Sequence, residues 1–306
     1  MGNYLSPPPL FPEFKPLGLE DQEILRRLLW EYQPETSELT FTNLFIWKDH
    51  YNLAWSLDRD WLLIINAAAN GGTWAFPPLG PPSRTEICLK LLQWLREEKG
   101  VRGPRIERAD NRIVAELAGT PGLIIEPLRD HFDYLYQSAD LIQLQGHKYQ
   151  TQRNHINHVR RSFAYVYEPL QEKHLSACLH LADTWCAVKR CVEDLSLAGE
   201  WEAVRASLRN FQQLNLQGGV LLIDDQVEAF TLGELLNQET AVVHIEKANP
   251  EISGLYAAIN QEFCRHCWSQ VPFINREQDL GVPGLRSAKI SYHPQRLIEK
   301  FRIRLV

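Results

Sequence analysis

Hydrophobic positions along the chain change period in an order that can be read from end to end. After a lead-in carrying Pro7, Pro8, Pro9 and Pro12, Ile24, Leu25, Leu28 and Leu29 recur at helical spacing. A second helical pattern covers 38 to about 48, with Phe41, Leu44, Phe45 and Trp47 supplying its apolar faces. Residues 53–57 and 61–65 flank Asp58-Arg59-Asp60, the pattern of two strands joined by a tight turn. A third strand follows near 73–76. Ser83 is the expected cap of a helix carrying Ile87, Leu91, Leu92 and Leu95. A short strand at 105–107, a helix over 111–117 and strands near Ile124 and Tyr134 complete the first half.

The second half runs through the same order. Tyr167-Glu168-Pro169-Leu170 leads into a helix with Leu175, Cys178, Leu179 and Trp185, and a second helix carries Val204, Leu208 and Phe211. Residues 220–223 and 227–232 flank Asp224-Asp225-Gln226 as another hairpin. A strand at 241–246, a helix over 253–267, a strand at 272–275, a short helix through Arg286 to Lys289 and a last strand at 301–305 follow. Local echoes join the halves: Phe14-Lys15-Pro16-Leu17 matches Tyr167-Glu168-Pro169-Leu170, and Ile106-Glu107-Arg108 with Asp110 matches Ile274-Asn275-Arg276 with Asp279. The pattern predicts a mixed α/β protein of two lobes, 14–140 and 141–306, with 141–163 as a basic linking helix.

The 306 residues, 44% of them hydrophobic, suffice for two cores, and the net charge of -6 excludes whole-surface nucleic-acid binding while allowing a local basic groove. The six scattered cysteines are expected to be free thiols in a reducing compartment, and Cys264-Arg265-His266-Cys267 lacks the second ligand pair that a zinc site needs. No apolar run approaches the roughly 20 residues that span a bilayer, so a cytoplasmic location is expected.

Candidate chemistry concentrates late in the chain. Asn275, Arg276, Glu277 and Asp279 crowd a strand-to-helix junction, and Arg286, Lys289 and Tyr292 follow them. Such junctions lie at the carboxyl edge of α/β sheets, where ligands bind. On the strand through Val243-His244-Ile245-Glu246-Lys247, simple alternation puts His244 and Glu246 on one face about 7 Å apart. Glu246 is the first choice for a general base and His244 the second. Arg286 and Lys289, three residues apart, could hold phosphates or an oxyanion; a salt-bridged loop with a solvated helix face is the competing account. Glu228, Glu234 and Asn237 stand on or just beyond the neighbouring hairpin strand. Lys148, Arg153, Asn154, Asn157 and Arg160 belong to the most basic stretch of the chain, suited to phosphates such as those of a tRNA acceptor end, or to an ordinary solvated helix face.

Three separated motifs carry a resemblance: Ser37-Glu38-Leu39-Thr40-Phe41-Thr42-Asn43-Leu44-Phe45-Ile46-Trp47; Gly146-His147-Lys148-Tyr149 with Arg153-Asn154-His155-Ile156-Asn157; and the run from Ile274 to Tyr292. In this order they resemble soluble, stand-alone relatives of the phosphatidylglycerol lysyltransferase C-terminal domain, and the element order is that of the GNAT acyltransferase fold. The resemblance implies two tandem GNAT-like lobes, each with a mixed, mainly antiparallel sheet flanked by helices. It also implies acyl transfer from aminoacyl-tRNA as co-substrate to an amine or hydroxyl of a small-molecule or lipid acceptor. An acyl-CoA donor is the alternative; it fits less well because the connection Lys247-Ala248-Asn249-Pro250-Glu251-Ile252-Ser253-Gly254 has one glycine and an acid where a pyrophosphate loop would be glycine-rich. A non-catalytic module binding RNA or another anionic ligand is the reading from outside enzymology. No metal is implied.

Overall fold

The computed structural model describes residues 7–67, 72–189 and 195–306. Two compact units divide the chain, Met1–Phe132 with Ile298–Val306 and Asp133–Leu297. The first contains β1 (Lys15–Pro16), α1 (Gln22–Tyr32), α2 (Phe41–Ile46), α3 (Lys48–Tyr51), β2 (Leu53–Asp58), β3 (Trp61–Asn66), β4 (Trp74–Ala75), α4 (Thr85–Glu97), β5 (Arg105–Ala109), α5 (Asn111–Leu117) and β6 (Leu123–Pro127). The second contains β7 (Asp133–Gln137), α6 (Ser138–Gln143), α7 (Gln150–Ser162), β8 (Val166–Pro169), α8 (Glu172–Lys189), α9 (Leu195–Arg209), β9 (Gln217–Ile223), β10 (Gln226–Leu235), β11 (Thr240–Ala248), α10 (Leu255–Cys267), β12 (Phe273–Asn275) and α11 (Pro283–Ile290). β13 (Arg296–Ile298) and β14 (Phe301–Leu305) end the chain.

Each unit is built on a mixed seven-stranded sheet, ordered β1-β2-β3-β4-β5-β14-β6 and β13-β7-β12-β11-β10-β9-β8. Period-2 patterning identified most of the strands, though not β13, and left their partners open; two of them pair across the expected lobe border. β7 joins the second sheet, Tyr136 opposite Ile274, and its Tyr134 and Tyr136 enter the core with Val243, Phe263 and Ile274. β14, grouped by the sequence with the second lobe, lies between β5 and β6, with Ile303 opposite both Ile106 and Ile125. Ile303 is fully buried among Leu63, Ile65, Leu91 and Ile106. Alternation states which face of a strand is apolar and leaves the choice of sheet to tertiary packing.

Three local expectations are corrected. The helix expected over 38–48 begins at Phe41, because Thr40 Oγ1 accepts from Asn43 N at 3.0 Å and caps it there, and it breaks at Trp47. Ser83 takes a left-handed φ of 69° instead of capping α4, whose preceding residue Arg84 is clamped by Glu116. Cys88, Cys178, Cys264 and Cys267 are free, but Cys186 is disulfide-bonded; Cys191 lies outside the described residues.

The first unit buries a charge cluster. Glu38, 3% exposed, accepts from Lys300 Nζ at 2.7 Å and lies 3.5 Å from Arg108 Nε. The Arg108 guanidinium rests over the rings of Tyr51, Trp74 and Phe76. Burial opposes ionisation of Glu38, but the two cations outweigh it and hold the carboxyl below its usual range. Removing Lys300 leaves buried Glu38 with Arg108 as its remaining cation, so Lys300→Met is expected to cost roughly 3 kcal/mol in denaturant unfolding.

Candidate active site

β11 and β12 run parallel and pair over only three positions, Thr240 with Phe273, Ala241 with Ile274 and Val242 with Asn275. β11 continues to Ala248 along β10, so past Val242 the two strands part. The opening lies at their carboxyl ends, where open α/β sheets accept ligands. Opposite it, Leu232 faces Ile245 and Gly233 faces Val243, which leaves His244 as the extra residue of a β-bulge. A Cβ on Gly233 would come within 2.4 Å of the Val242 carbonyl oxygen, so this position needs glycine.

The bulge changes which residues share a face. Val243 packs with Phe263 of α10. Three residues later Glu246 accepts from Asn260 Nδ2, also on α10, at 3.2 Å. Lys247 turns the other way, 2.6 Å from Glu200 of α9 and over the Trp185 ring of α8. An unbroken strand would separate Val243 from Glu246; the extra residue resets the alternation. The expected shared face of His244 and Glu246 is therefore corrected: Glu246 points to the α10 side, and His244 to the side of Glu234, whose ladder partner Val242 faces away from α10.

On the α10 side, Arg276 leaves the end of β12 and bridges the opening to Glu246, Nη2 to Oε1 at 3.1 Å. Its guanidinium lies 4.8 Å above the Tyr292 ring and 5.9 Å from that of Tyr136. Burial works against this cation, yet Glu246 and the surrounding aromatic hydroxyls raise its pKa above the ordinary value. Burial pushes the Tyr292 hydroxyl and the Cys264 thiol up to about 12, so both stay protonated at neutral pH. Two buried polar atoms here have no partner: Arg276 Nη1, a donor, and Asn260 Oδ1, an acceptor. Glu246 sits between them.

On the opposite side His244, its side chain 2% exposed, lies between two carboxylates, Nδ1 2.8 Å from Glu277 Oε1 and Nε2 3.1 Å from Glu234 Oε1. Burial disfavours the imidazolium, but the two carboxylate contacts outweigh it and raise the pKa to about 9. At neutral pH both ring nitrogens are donors and neither can take a proton, which leaves His244 unsuited to be a base. Glu277 holds its position through a left-handed φ of 57° and a bond from its N–H to Asn275 Oδ1 at 2.8 Å.

The junction is braced from below. Asn275 Nδ2 donates to Asp133 Oδ2 at 3.0 Å. Asp279, fully buried, receives both Arg286 Nε and Nη2 at 2.8 Å, the Tyr134 hydroxyl at 2.5 Å and Gly281 N at 2.8 Å. Burial would raise this carboxyl; those donors hold it well below the usual carboxylate range. Lys289 donates to the carbonyls of Arg276 and Glu277, and burial with Arg276 nearby pulls its pKa down to about 8. Arg286 and Lys289 are thus spent on the junction itself, not presented to a phosphate.

The structure brings Glu234, His244, Glu246, Asn275, Arg276, Glu277, Asp279, Arg286, Lys289 and Tyr292 into connected contacts on the two faces of the sheet where β11 and β12 part, and puts the other sequence candidates elsewhere. Glu228 is bonded to Asn249, and Asn237 to the turn N–H of Glu239. Lys148 lies 3.6 Å from Asp140, and Arg153 donates to the carbonyls of Leu144 and Gly146. Arg160 is tied to Glu262 at 3.1 Å, and Asn154 and Asn157 are exposed. Sequence reasoning missed Asp133, Tyr134, Tyr136 and Asn260. The signal for Asn260 was there: Asn260, Gln261 and Glu262 form a polar run between Ile259 and Phe263, and all three are buried.

A family model described as phosphatidylglycerol lysyltransferase, C-terminal, matches residues 30–304.

The chain belongs to this family.

Its fold is that of a conserved protein of unknown function from Bacteroides thetaiotaomicron, 33% identical, with a TM-score of 0.89 over 96% of this chain and 99% of that one. L-PGS from Bacillus licheniformis aligns with a TM-score of 0.65 at 14% identity, over 92% of this chain and 91% of that chain. A tandem GNAT protein from the clavulanic acid biosynthesis pathway aligns at 0.50 and 13% identity, over 96% and 98%. The fold is GNAT-like, two mixed sheets flanked by helices, and the family is one of acyltransferases.

The His244 contacts set a pH dependence. A histidine raised from about 6.5 unfolded to about 9 folded stabilises fully below the lower value and loses that contribution as pH rises to the upper one. Lys289, lowered to about 8, acts in the opposite sense from there upward, so the difference between wild type and His244→Gln isolates the histidine. Denaturant unfolding from pH 6 to 9 is expected to show that difference shrinking by up to roughly 3 kcal/mol.

Proposed function

We propose that the chain is an aminoacyltransferase, moving an aminoacyl group from aminoacyl-tRNA to an amine or hydroxyl of a small-molecule or lipid acceptor at the opening between β11 and β12. Membership of the family supports the reaction class. The observation that carries the assignment to this opening is the Glu246 carboxylate held between the unspent donor Arg276 Nη1 and the unspent acceptor Asn260 Oδ1.

In this reading the acceptor nitrogen or oxygen attacks the ester carbonyl of the charged tRNA. Its bond to the carbonyl carbon forms while the bond to the ribose oxygen breaks, and Glu246 takes the proton from the nucleophile and returns it to the departing ribose oxygen. Arg276 Nη1 donates to the carbonyl oxygen as it gains negative charge. Tyr136 and Tyr292 hold the guanidinium flat, and His244 with Glu277 fixes the chain from which Arg276 projects.

The β11–α10 connection favours this donor over acyl-CoA. Its one glycine, Gly254, has φ of 95° and would bring a Cβ within 2.6 Å of the His155 carbonyl oxygen, so it serves close packing against α7. Glu251 adds a negative charge where a pyrophosphate would need donors.

Purified protein mixed with charged tRNA pools and cell metabolites is expected to consume aminoacyl ester, with the product read by mass spectrometry. Glu246→Gln should slow transfer by about a hundredfold or more when assayed below its unfolding midpoint, which loss of the Arg276 counter-charge is expected to lower. A fully active Glu246→Gln enzyme removes Glu246 from the mechanism, and heat on titration with CoA would favour the other donor.

A further inference from the structure

Where α7 ends and β8 begins, the chain lies against the last turns of α10 and leaves a cleft of about 500 Å³, lined from one side by Arg160, Phe163, Ala164 and Val166 and from α10 by Glu262 and His266. The volume is that of a small-molecule site. None of its lining residues belongs to the opening between β11 and β12.

The cleft is built on a carboxylate that its neighbours already neutralise. Glu262, 7% exposed, accepts from Arg160 Nη2 and the Tyr165 hydroxyl on Oε1, both at 3.1 Å, and from Arg265 Nη1 on Oε2 at 3.0 Å. Two guanidiniums on one carboxylate leave the cluster with positive charge in excess, and α7, which carries no acidic residue, adds exposed Arg161 next along the chain. Arg160 is fixed by these bonds: Nε donates to the Tyr165 hydroxyl and Nη2 to Glu262, while Nη1 has no partner among the described residues. A guanidinium held in place with an open N–H and a side chain 45% exposed is an anion anchor.

Beside this anchor lies a flat platform. The His266 imidazole stacks on the Tyr167 ring, centroids 4.5 Å apart and planes 9° from parallel, with Nε2 3.7 Å from Glu262 Oε2. Tyr167 covers one face of the imidazole, yet the side chain remains 52% exposed, so its other face is open to a second ring. Phe163 and Val166 add apolar wall. The cation and the platform touch the two oxygens of a single carboxylate and therefore sit side by side. That pairing suits a ligand with a flat ring at one end and an anion at the other, and the excess of arginine favours phosphate over a single carboxylate. A nucleic-acid strand stacks on successive platforms; this cleft offers one.

We infer that the cleft between α7, β8 and α10 binds a single nucleoside monophosphate, with the base on His266 and the phosphate on Arg160. The inference goes beyond the transfer reaction and stands whether or not the opening between β11 and β12 is catalytic.

Calorimetric titration of the purified full chain with AMP tests it. Binding of AMP is expected, with adenosine and ribose 5-phosphate, each carrying one half of the recognition, at least about tenfold weaker. His266→Ala should weaken AMP about tenfold. Ala164→Trp, at an exposed position of the wall, should abolish binding by filling the cleft. Arg160→Gln, which leaves Arg265 and the Tyr165 hydroxyl on Glu262, should erase the preference for AMP over adenosine. Each variant is first checked for a cooperative unfolding transition. No heat with AMP at about 10 mM would overturn the proposal. So would AMP binding that survives His266→Ala and Ala164→Trp but is lost in Arg276→Met, which assigns the nucleotide to the opening between β11 and β12, or binding of a short single-stranded RNA by a chain that ignores AMP.

Discussion

Two parallel strands that pair for three residues and then part create both the opening and the need to hold it. A backbone ladder that stops leaves nothing between β11 and β12 except side chains, and the chain supplies two charge contacts there, one on each face of the sheet. Arg276 with Glu246 spans the α10 side, and Glu277 with His244 spans the other. Consecutive residues at the end of β12 can serve opposite faces because strand side chains alternate. The residues they meet on β11 lie two apart and would share a face without the bulge at His244. The bulge is therefore what lets one short stretch brace the opening on both sides.

The same braces decide what each group can do chemically. An imidazole between two carboxylates is a fixed cation and holds position; it has no lone pair to give. A guanidinium over two tyrosine rings, paired with Glu246 and hydrogen-bonded to the Tyr292 hydroxyl, keeps Nη1 without a partner. Asp279, saturated by Arg286, Tyr134 and Gly281, is similarly a structural anion. Of the acids at the junction, Glu246 alone combines one charge contact with neighbouring donor and acceptor groups that are unspent.

Much of this was legible in the sequence, and the failures have identifiable causes. Element order followed from apolar periodicity, because strands and helices that bury one face must repeat at 2 or 3.6 residues. The crowding of Asn275, Arg276, Glu277 and Asp279 was legible because a strand that runs into glycines and prolines fixes where the turn lies. The bulge was not, since one inserted residue leaves no compositional mark beyond Gly233 on the neighbouring strand, and the face assignment of His244 and Glu246 failed with it. The inward turn of Arg286 and Lys289 was hidden for a related reason: helical spacing says that two side chains share a face, not which way that face looks. Strand partnership escaped as well, for β7 and β14 each carry an alternation that either sheet could bury.

The first unit shows why the second is the better place for chemistry. There too a parallel pair, β4 with β5 through Ala75 and Ile106, is followed by an arginine, Arg108, laid over aromatic rings. But its acid, Glu38, is claimed by two cations at once, Lys300 at 2.7 Å and Arg108 at 3.5 Å, and Arg108 spends a further N–H on the Tyr51 hydroxyl at 3.2 Å. The lysine that neutralises it arrives on the loop leading into β14, the last strand of the chain, and is itself fully buried. A carboxylate locked between two buried cations is poorly placed to take a proton, and its cluster stabilises the core around α2. In the second unit no lysine reaches Glu246 within ion-pair distance among the described residues; Lys289 is spent on carbonyl oxygens instead. Similar local geometry thus yields an acid flanked by two buried cations in one unit and an acid paired with one arginine in the other, and the difference lies in where a single amine is sent.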